Sequence, residues 1–309
     1  MFDPWNLTDE PGRPDAVFAI TGSTSGIGYF IAEQLAQTGA EIVLLGRSEE
    51  RIDRARREIE SRVPGAHTSG IRVDLSDLES ATAAGQALAK LPRLDALVAN
   101  AGLISAGRRR QVTAQGHELV VGTNHLGHFA LVAAAHPVLE NTAGSRVISM
   151  GSMLVGRLKL DPGNLMSERS YRPLQAYANS KHATELFGFD YHRRLRRAGL
   201  NITSIVAHPG GAMDQMTPSR EGIAGANRAT RTLFSPVHAA IQGKDSGALP
   251  ATRAVLDAEV RGGDYVGPIH TSRGRPVRLR PHPMSIDQER AAWLWQRTEE
   301  LTGIRLLSD

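Results

Sequence analysis

The chain of 309 residues contains no cysteine. That absence excludes a disulfide scaffold, a thiolate metal centre and a cysteine nucleophile, and it suits the reducing cytoplasm, the location expected here. Aromatic residues make up only 5% of the chain, and the formal net charge is only +4. Lysine and arginine are interleaved with acids rather than massed, so no nucleic-acid partner is expected. No run of about 18 apolar residues occurs, so no membrane span is expected. The N-terminal Met1-Phe2-Asp3-Pro4-Trp5 lacks the charged-then-apolar order of a signal peptide. There is no internal repeat and no low-complexity tract. What is present is ordinary globular usage, 41% hydrophobic and 22% charged, enough to bury one large core.

Short apolar runs alternate with helix-period stretches. Strands are expected at 15–20, 41–45, 71–73, 95–99, 146–150, 201–206 and 264–266. Helices are expected near 26–38, 48–62, 77–90, 113–140 and 174–198. The C-terminal stretch 285–303 has helix period again, with Ile286, Ala291, Trp293, Leu294 and Trp295 on an apolar face. Near-continuous apolar strands demand cover on both faces. The pattern therefore predicts an α/β fold: one domain over 1–309, a Rossmann-like doubly wound parallel sheet of about seven strands, helices on both sides. Its ligand belongs at the carboxyl ends of the strands, where strand order reverses. Residues 207–250, with Pro209, Gly210, Gly211 and Pro218, read as a helical substrate lid, and 268–309 as a C-terminal extension.

Directly after the first strand comes Thr21-Gly22-Ser23-Thr24-Ser25-Gly26-Ile27-Gly28, opening a helix. Gly22 permits a tight turn, Gly26 lets backbone approach a pyrophosphate, and Gly28 allows close packing of the helix. The helix N-terminus then offers N–H groups to phosphates. About twenty residues on, an NAD enzyme places an acid against the ribose hydroxyls. Here stands Gly46-Arg47-Ser48. Arg47 suits a 2′-phosphate, so NADP(H) is expected over NAD(H). Asp74 and Leu75 either bracket the adenine or begin a cap with Ser76 and Asp77.

Tyr177-Ala178-Asn179-Ser180-Lys181 puts a phenol and an amine on one helix face. A free tyrosine, with a pKa of about 10, is a poor base at neutrality. A neighbouring ammonium favours the phenolate, and such a tyrosine can exchange a proton with an alcohol or alkoxide.

The order of these features, with Asn100-Ala101-Gly102, Asn124, Ser152 and Pro209-Gly210 between and after them, resembles the short-chain dehydrogenase/reductase family over about residues 14–215. The resemblance implies that Tyr177 is the general acid or base and that Lys181 lowers its pKa and bonds the nicotinamide ribose. It implies that Ser152 donates to the substrate oxygen, and that Asn124 holds a water leading from Lys181 to solvent. Asn100, Ala101 and Gly102, with Pro209 and Gly210, would line the cofactor crevice. Ser152 and Tyr177 stand 25 positions apart, farther than in the family's short forms. The inserted Gly156, Leu158, Leu160, Asp161, Asn164 and Leu165, and the stretch Asn124 to Phe129, are similar to the branch of retinol dehydrogenases, protochlorophyllide reductases and WW-domain oxidoreductases. The implied activity is hydride transfer between NADP(H) and a carbonyl or alcohol carbon of a small hydrophobic substrate. Carbon–carbon double-bond reduction and a non-catalytic NADP(H)-binding redox sensor are the alternatives. The resemblance leaves monomer, dimer and tetramer open.

Three positions depart from the family pattern. Ala99 replaces the first of paired asparagines, Gly151 precedes Ser152, and Asp214 stands where a threonine contacts the carboxamide, a role that Thr217 would take by another loop path. Ser149 is the alternative catalytic serine. His125, His128 and His136 share a predicted helix without an accompanying acid pattern, so no metal is expected. Met213 and Met216 line a pocket or pack a loop. Arg273, Arg275, Arg278 and Arg280 form a cluster that is solvated, a subunit contact or an anion handle.

Overall fold

Successive residues of the first strand, β1 (Val17–Thr21), point to opposite faces of the sheet. Phe18 and Ile20 join one hydrophobic cluster, Val17 and Ala19 another. The second strand, β2 (Glu41–Gly46), divides likewise, Ile42 and Leu44 against Val43 and Leu45. This two-sided burial is why these runs are apolar throughout.

The computed structural model describes residues 5–223 and 241–307. After β1 and β2 come β3 (His67–Arg72), β4 (Ala96–Ala99), β5 (Arg146–Met150) and β6 (Thr203–Ala207). A two-stranded pair, β7 (Ala212–Met213) with β8 (Gln242–Gly243), precedes β9 (Tyr265–Pro268) and β10 (Pro276–Leu279). The main sheet has eight strands in the order β10-β9-β6-β5-β4-β1-β2-β3. All pair in parallel except β10, which runs antiparallel on β9. Strand order reverses between β1 and β4, and the ligand groove opens there.

The helices are α1 (Gly26–Ala36), α2 (Glu49–Arg62), α3 (Leu78–Leu88), the single turn α4 (Leu119–Val121), α5 (Gly127–Asn141), α6 (Pro173–Arg197), α7 (Lys244–Leu256) and α8 (Gln288–Thr302). One face of the sheet is covered by α1, α2 and α7, the other by α3, α5 and α6. Helix α8 adds Trp295 to the second cluster, where it stacks on Phe187 and Tyr191.

The structure revises several sequence expectations. The long helix expected over 113–140 begins only at Leu119, because Glu118 caps it and Val112 bridges Glu118. A π-helical turn, Gly122–Leu126, then interrupts it and carries Asn124. Residues 244–250, expected within the lid, are the first turns of α7, whose Ala248, Ala251 and Ala254 enter the core. The part of the expected lid over 224–240 lies outside the described residues. Ile286 is 42% exposed rather than on the apolar face of α8. Leu165 and Met166 of the inserted stretch pack into a core cluster with Val121, Leu126, Ala183 and Leu186.

Candidate active site

The groove at the strand-order reversal has a volume of about 520 Å³. Gly22, Thr24, Ser25, Gly26, Ile27 and Gly28 form one wall, Arg47, Arg51, Asp74 and Leu75 one end, and Asn100, Ala101 and Gly102 the floor. Gly22 and Gly26 have φ of +66° and +60°, the left-handed region where glycine is favoured. A Cβ on Gly22 would meet Ala101 Cα at 2.9 Å. One on Gly28 would collide with Asn100 Nδ2 and meet the Gly22 carbonyl at 2.5 Å, so Gly28 serves the turn's contact with β4. Ser25, the N-cap of α1, makes no side-chain cap bond, which leaves the amides of that first turn facing the groove. Ser23 is the exception in the turn. It is fully buried, with Oγ against the Leu45 carbonyl at 3.5 Å, and does not line the groove.

Thr21 is the pin beneath this floor. Its hydroxyl accepts from the backbone N–H of Asn100 and of Ala101, both at 2.9 Å, and Asn100 Nδ2 donates to the Thr21 carbonyl at 2.8 Å. His128 Nε2 lies 2.9 Å from Thr21 Oγ1, while Nδ1 contacts the Asn124 carbonyl at 3.0 Å. Burial holds His128 down to about 4, so the ring is neutral, with Nδ1–H as donor and Nε2 as acceptor. His125 is likewise held down to about 3 and bonds Thr298 at 2.7 Å. Among the described residues no group of His, Asp and Glu has the arrangement of a metal site.

At the adenosine end, a side chain on Gly46 would meet Thr24 Cγ2 at 2.7 Å. No acid fits there without displacing the turn. Arg47 is exposed, and Arg51 stands beside it, a cation that sequence spacing alone gave no reason to select. Asp74 lines the groove and accepts from Ser76 N and Oγ, at 3.0 and 2.7 Å. Asp77 caps α3 instead.

The catalytic candidates gather at the carboxyl ends of β5 and β6. The Tyr177 phenol is raised above its ordinary pKa by burial, and its bond with Ser152 draws it back down. The sequence assigns that pull to Lys181. Here the ammonium sits 5.9 Å from the Tyr177 ring centroid and donates to the Met150 carbonyl at 2.7 Å. Burial lowers Lys181 to about 8, against a raising influence from Glu185. Tyr177, Lys181 and Glu185 repeat every fourth residue along one face of α6. Glu185 was not singled out from sequence. It is fully buried and accepts from Ser152 N (3.0 Å), Ser285 Oγ (2.6 Å) and Tyr265 OH (3.3 Å). Its carboxylate occupies the space beside Gly151 that a second serine would need. Ser149, the alternative serine, is 1% exposed and packs against Gly188 on α6.

Asn124 is 2% exposed and its side chain is fully engaged. Oδ1 accepts from Leu103 N at 2.7 Å, and Nδ2 donates to the Leu103 carbonyl and to Ser180 Oγ, each at 2.9 Å. Its carbonyl accepts from His128 Nδ1 at 3.0 Å and from Thr184 Oγ1 at 3.4 Å. Thr217 is buried, its hydroxyl donating to the Met213 carbonyl (2.7 Å) and accepting from Lys244 N (2.9 Å). Asp214 pairs with Lys244 at 2.6 Å. Pro209 and Gly210 follow β6, where a Cβ on Gly210 would meet the Ser272 carbonyl at 2.5 Å. The four C-terminal arginines are all exposed, and Arg278 bonds the Glu259 carbonyl at 3.0 Å.

A glycine-rich turn opening a helix, a two-sided parallel sheet and a Ser–Tyr–Lys set at its carboxyl edge are the pattern of a dinucleotide-dependent oxidoreductase. Residues 16–222 match the short chain dehydrogenase family model, and the chain belongs to that family, whose members bind NAD(P). Human retinol dehydrogenase 13 is 29% identical over 94% of this chain and 86% of its own length. Human retinol dehydrogenase 11 is 34% identical over 66% of this chain and 63% of its own length. These relatives support the retinol dehydrogenase branch of the family. Among solved structures, a protein from Mycobacterium paratuberculosis superposes with a TM-score of 0.78 at 28% identity, covering 99% of this chain and all of that one. Among the described residues, no helix is long and apolar enough to cross a membrane.

Proposed function

We propose that the protein is an NADP(H)-dependent oxidoreductase that moves a hydride between the nicotinamide and a carbonyl or alcohol carbon of a small hydrophobic substrate. The observation that carries this reading is Tyr177 one helical turn from the buried Lys181, whose ammonium lies 5.9 Å from the phenol ring, beside a glycine-turn groove. The groove's residues fit a dinucleotide. Positive-φ glycines and an uncapped helix end suit a pyrophosphate, Arg47 with Arg51 suits a 2′-phosphate, and Gly46 admits no competing acid. Asp74 and Leu75 would flank the adenine. Pro209, Gly210, Tyr177 and Lys181 would border the nicotinamide and its ribose.

The bound nicotinamide supplies or accepts the hydride. The protein's own part is proton transfer and placement. A phenol with a raised pKa is neutral at physiological pH, so Tyr177 is set to give its proton to an oxygen that becomes an alkoxide. Ser152 donates to the same oxygen as charge builds on it. The Lys181 ammonium, still charged below about 8, then faces a phenolate ring and steadies it. Asn124 fixes Ser180 and the Leu103 backbone beside the site. Retinol dehydrogenases among the relatives put long apolar aldehydes and alcohols first in a substrate screen. Incubation with NADPH and such a panel should oxidise the cofactor and yield an alcohol. Tight NADPH binding without turnover of any carbonyl would favour a sensor, and a saturated carbonyl product would favour double-bond reduction.

A further inference from the structure

Besides Arg47 and Arg51, the groove is lined by a third cation. Lys244 is the first residue of α7 and lines the groove together with Ala212. A Cβ built on Gly26 would lie 3.7 Å from Lys244 Nζ and 3.8 Å from its Cδ, so the side chain runs directly over the glycine turn. Its position is fixed from two sides. Asp214 Oδ1 holds Nζ at 2.6 Å. The Lys244 backbone N–H donates to Thr217 Oγ1 at 2.9 Å, and Thr217 Oγ1 donates to the Met213 carbonyl at 2.7 Å, which staples the 213–217 segment to the start of α7.

We infer that Lys244, steered by Asp214, is a phosphate-binding cation of the groove apart from Arg47 and Arg51, and engages the pyrophosphate of a dinucleotide lying on the Gly22–Gly28 turn. The inference rests on the dinucleotide reading of that groove. An ammonium has three donors, and Asp214 takes one, leaving two for phosphate oxygens. Asp214 is 53% exposed against 23% for Lys244, so solvent screens the carboxylate's competition for the ammonium. The pair also accounts for the acid at the position where the family pattern has threonine: it aims the lysine rather than meeting the cofactor's carboxamide. Arg47 and Lys244 then divide the cofactor's charge, one taking the ribose phosphate, the other the bridge.

The test separates the two phosphate sites. Affinities of the full chain for NADPH and for adenosine 2′-monophosphate, which lacks the pyrophosphate, are measured by calorimetry for wild type, Lys244→Met and Lys244→Arg. Loss of one charge-assisted contact should weaken NADPH about tenfold in Lys244→Met and leave the monophosphate unchanged. Lys244→Arg should keep NADPH near the wild-type affinity, which also shows that the position tolerates substitution. Unchanged NADPH affinity in Lys244→Met, or an equal loss for both ligands, overturns the inference while leaving the dinucleotide reading intact. A wild-type protein that binds neither ligand overturns the dinucleotide reading and this inference with it.

Discussion

The buried Glu185 carboxylate accepts a hydrogen bond from the backbone N–H of Ser152 at 3.0 Å. It ties the serine's loop to α6, and through Ser285 and Tyr265 to the C-terminal segment and the far strand β9. Burial raises this carboxyl to about 7, opposed by those bonds and by Lys181. A folded-state pKa above the unfolded value means that the folded protein binds the extra proton. The stability it contributes is therefore full below about 4.5 and lost as pH rises through about 7. The size is on the order of 3 kcal/mol. Buried His125, His128 and His208 are shifted the opposite way, so they add stability as pH rises from about 3 (His125) or about 4 (His128 and His208) toward 6.5. They cancel when Glu185→Gln is compared with wild type. Urea unfolding across pH 4.5–7.5 should show wild type losing stability relative to the variant. Parallel curves would contradict the assignment.

Arg47→Asp places a carboxylate where a 2′-phosphate is expected. The ratio of kcat/KM for NADPH over NADH should fall by about 10- to 100-fold. Gly46→Asp should fail as a route to NADH, because its side chain meets Thr24 Cγ2 at 2.7 Å and disturbs the turn. An unmodified protein that uses both cofactors equally would remove the basis for both expectations.

The two serines near β5 make opposite predictions. Ser152→Ala removes a donor to the developing oxyanion and should lower kcat about 10²- to 10³-fold. Ser149→Ala removes a hydroxyl packed under Gly188 and should leave kcat unchanged. Steady-state kinetics on both variants with one carbonyl substrate decide between them.

The parts of this molecule legible in sequence are those where one residue pattern has one physical use. β5 was expected at 146–150 and lies there because its apolar run is buried on both faces. The glycine turn was legible because it joins a strand to a helix. β3 spans His67–Arg72 rather than the expected 71–73, since an edge strand whose His67 and Gly70 are exposed and whose Thr68 and Ser69 are half-buried shows no apolar run. β10 was missed because it is short, opens on Pro276 and carries Arg278 outward. α7 is hidden in sequence because Gly247 and Pro250 are poor helix formers, while in the fold Gly247 makes room for Ala212 and Pro209. Glu185 and Lys244 were invisible for a different reason. Their partners, Ser152 and Asp214, are distant in the chain, and only the folded topology brings each pair together.

Tyr177 is the proposed proton donor that accompanies hydride transfer. The most direct measurement uses NADPH deuterated at C4, a carbonyl substrate found in the screen, and Tyr177→Phe beside wild type. Wild type should place deuterium on the carbinol carbon. The variant should bind NADPH with unchanged affinity and lose about 10²- to 10⁴-fold in single-turnover rate. A variant that transfers deuterium at the wild-type rate would contradict the account.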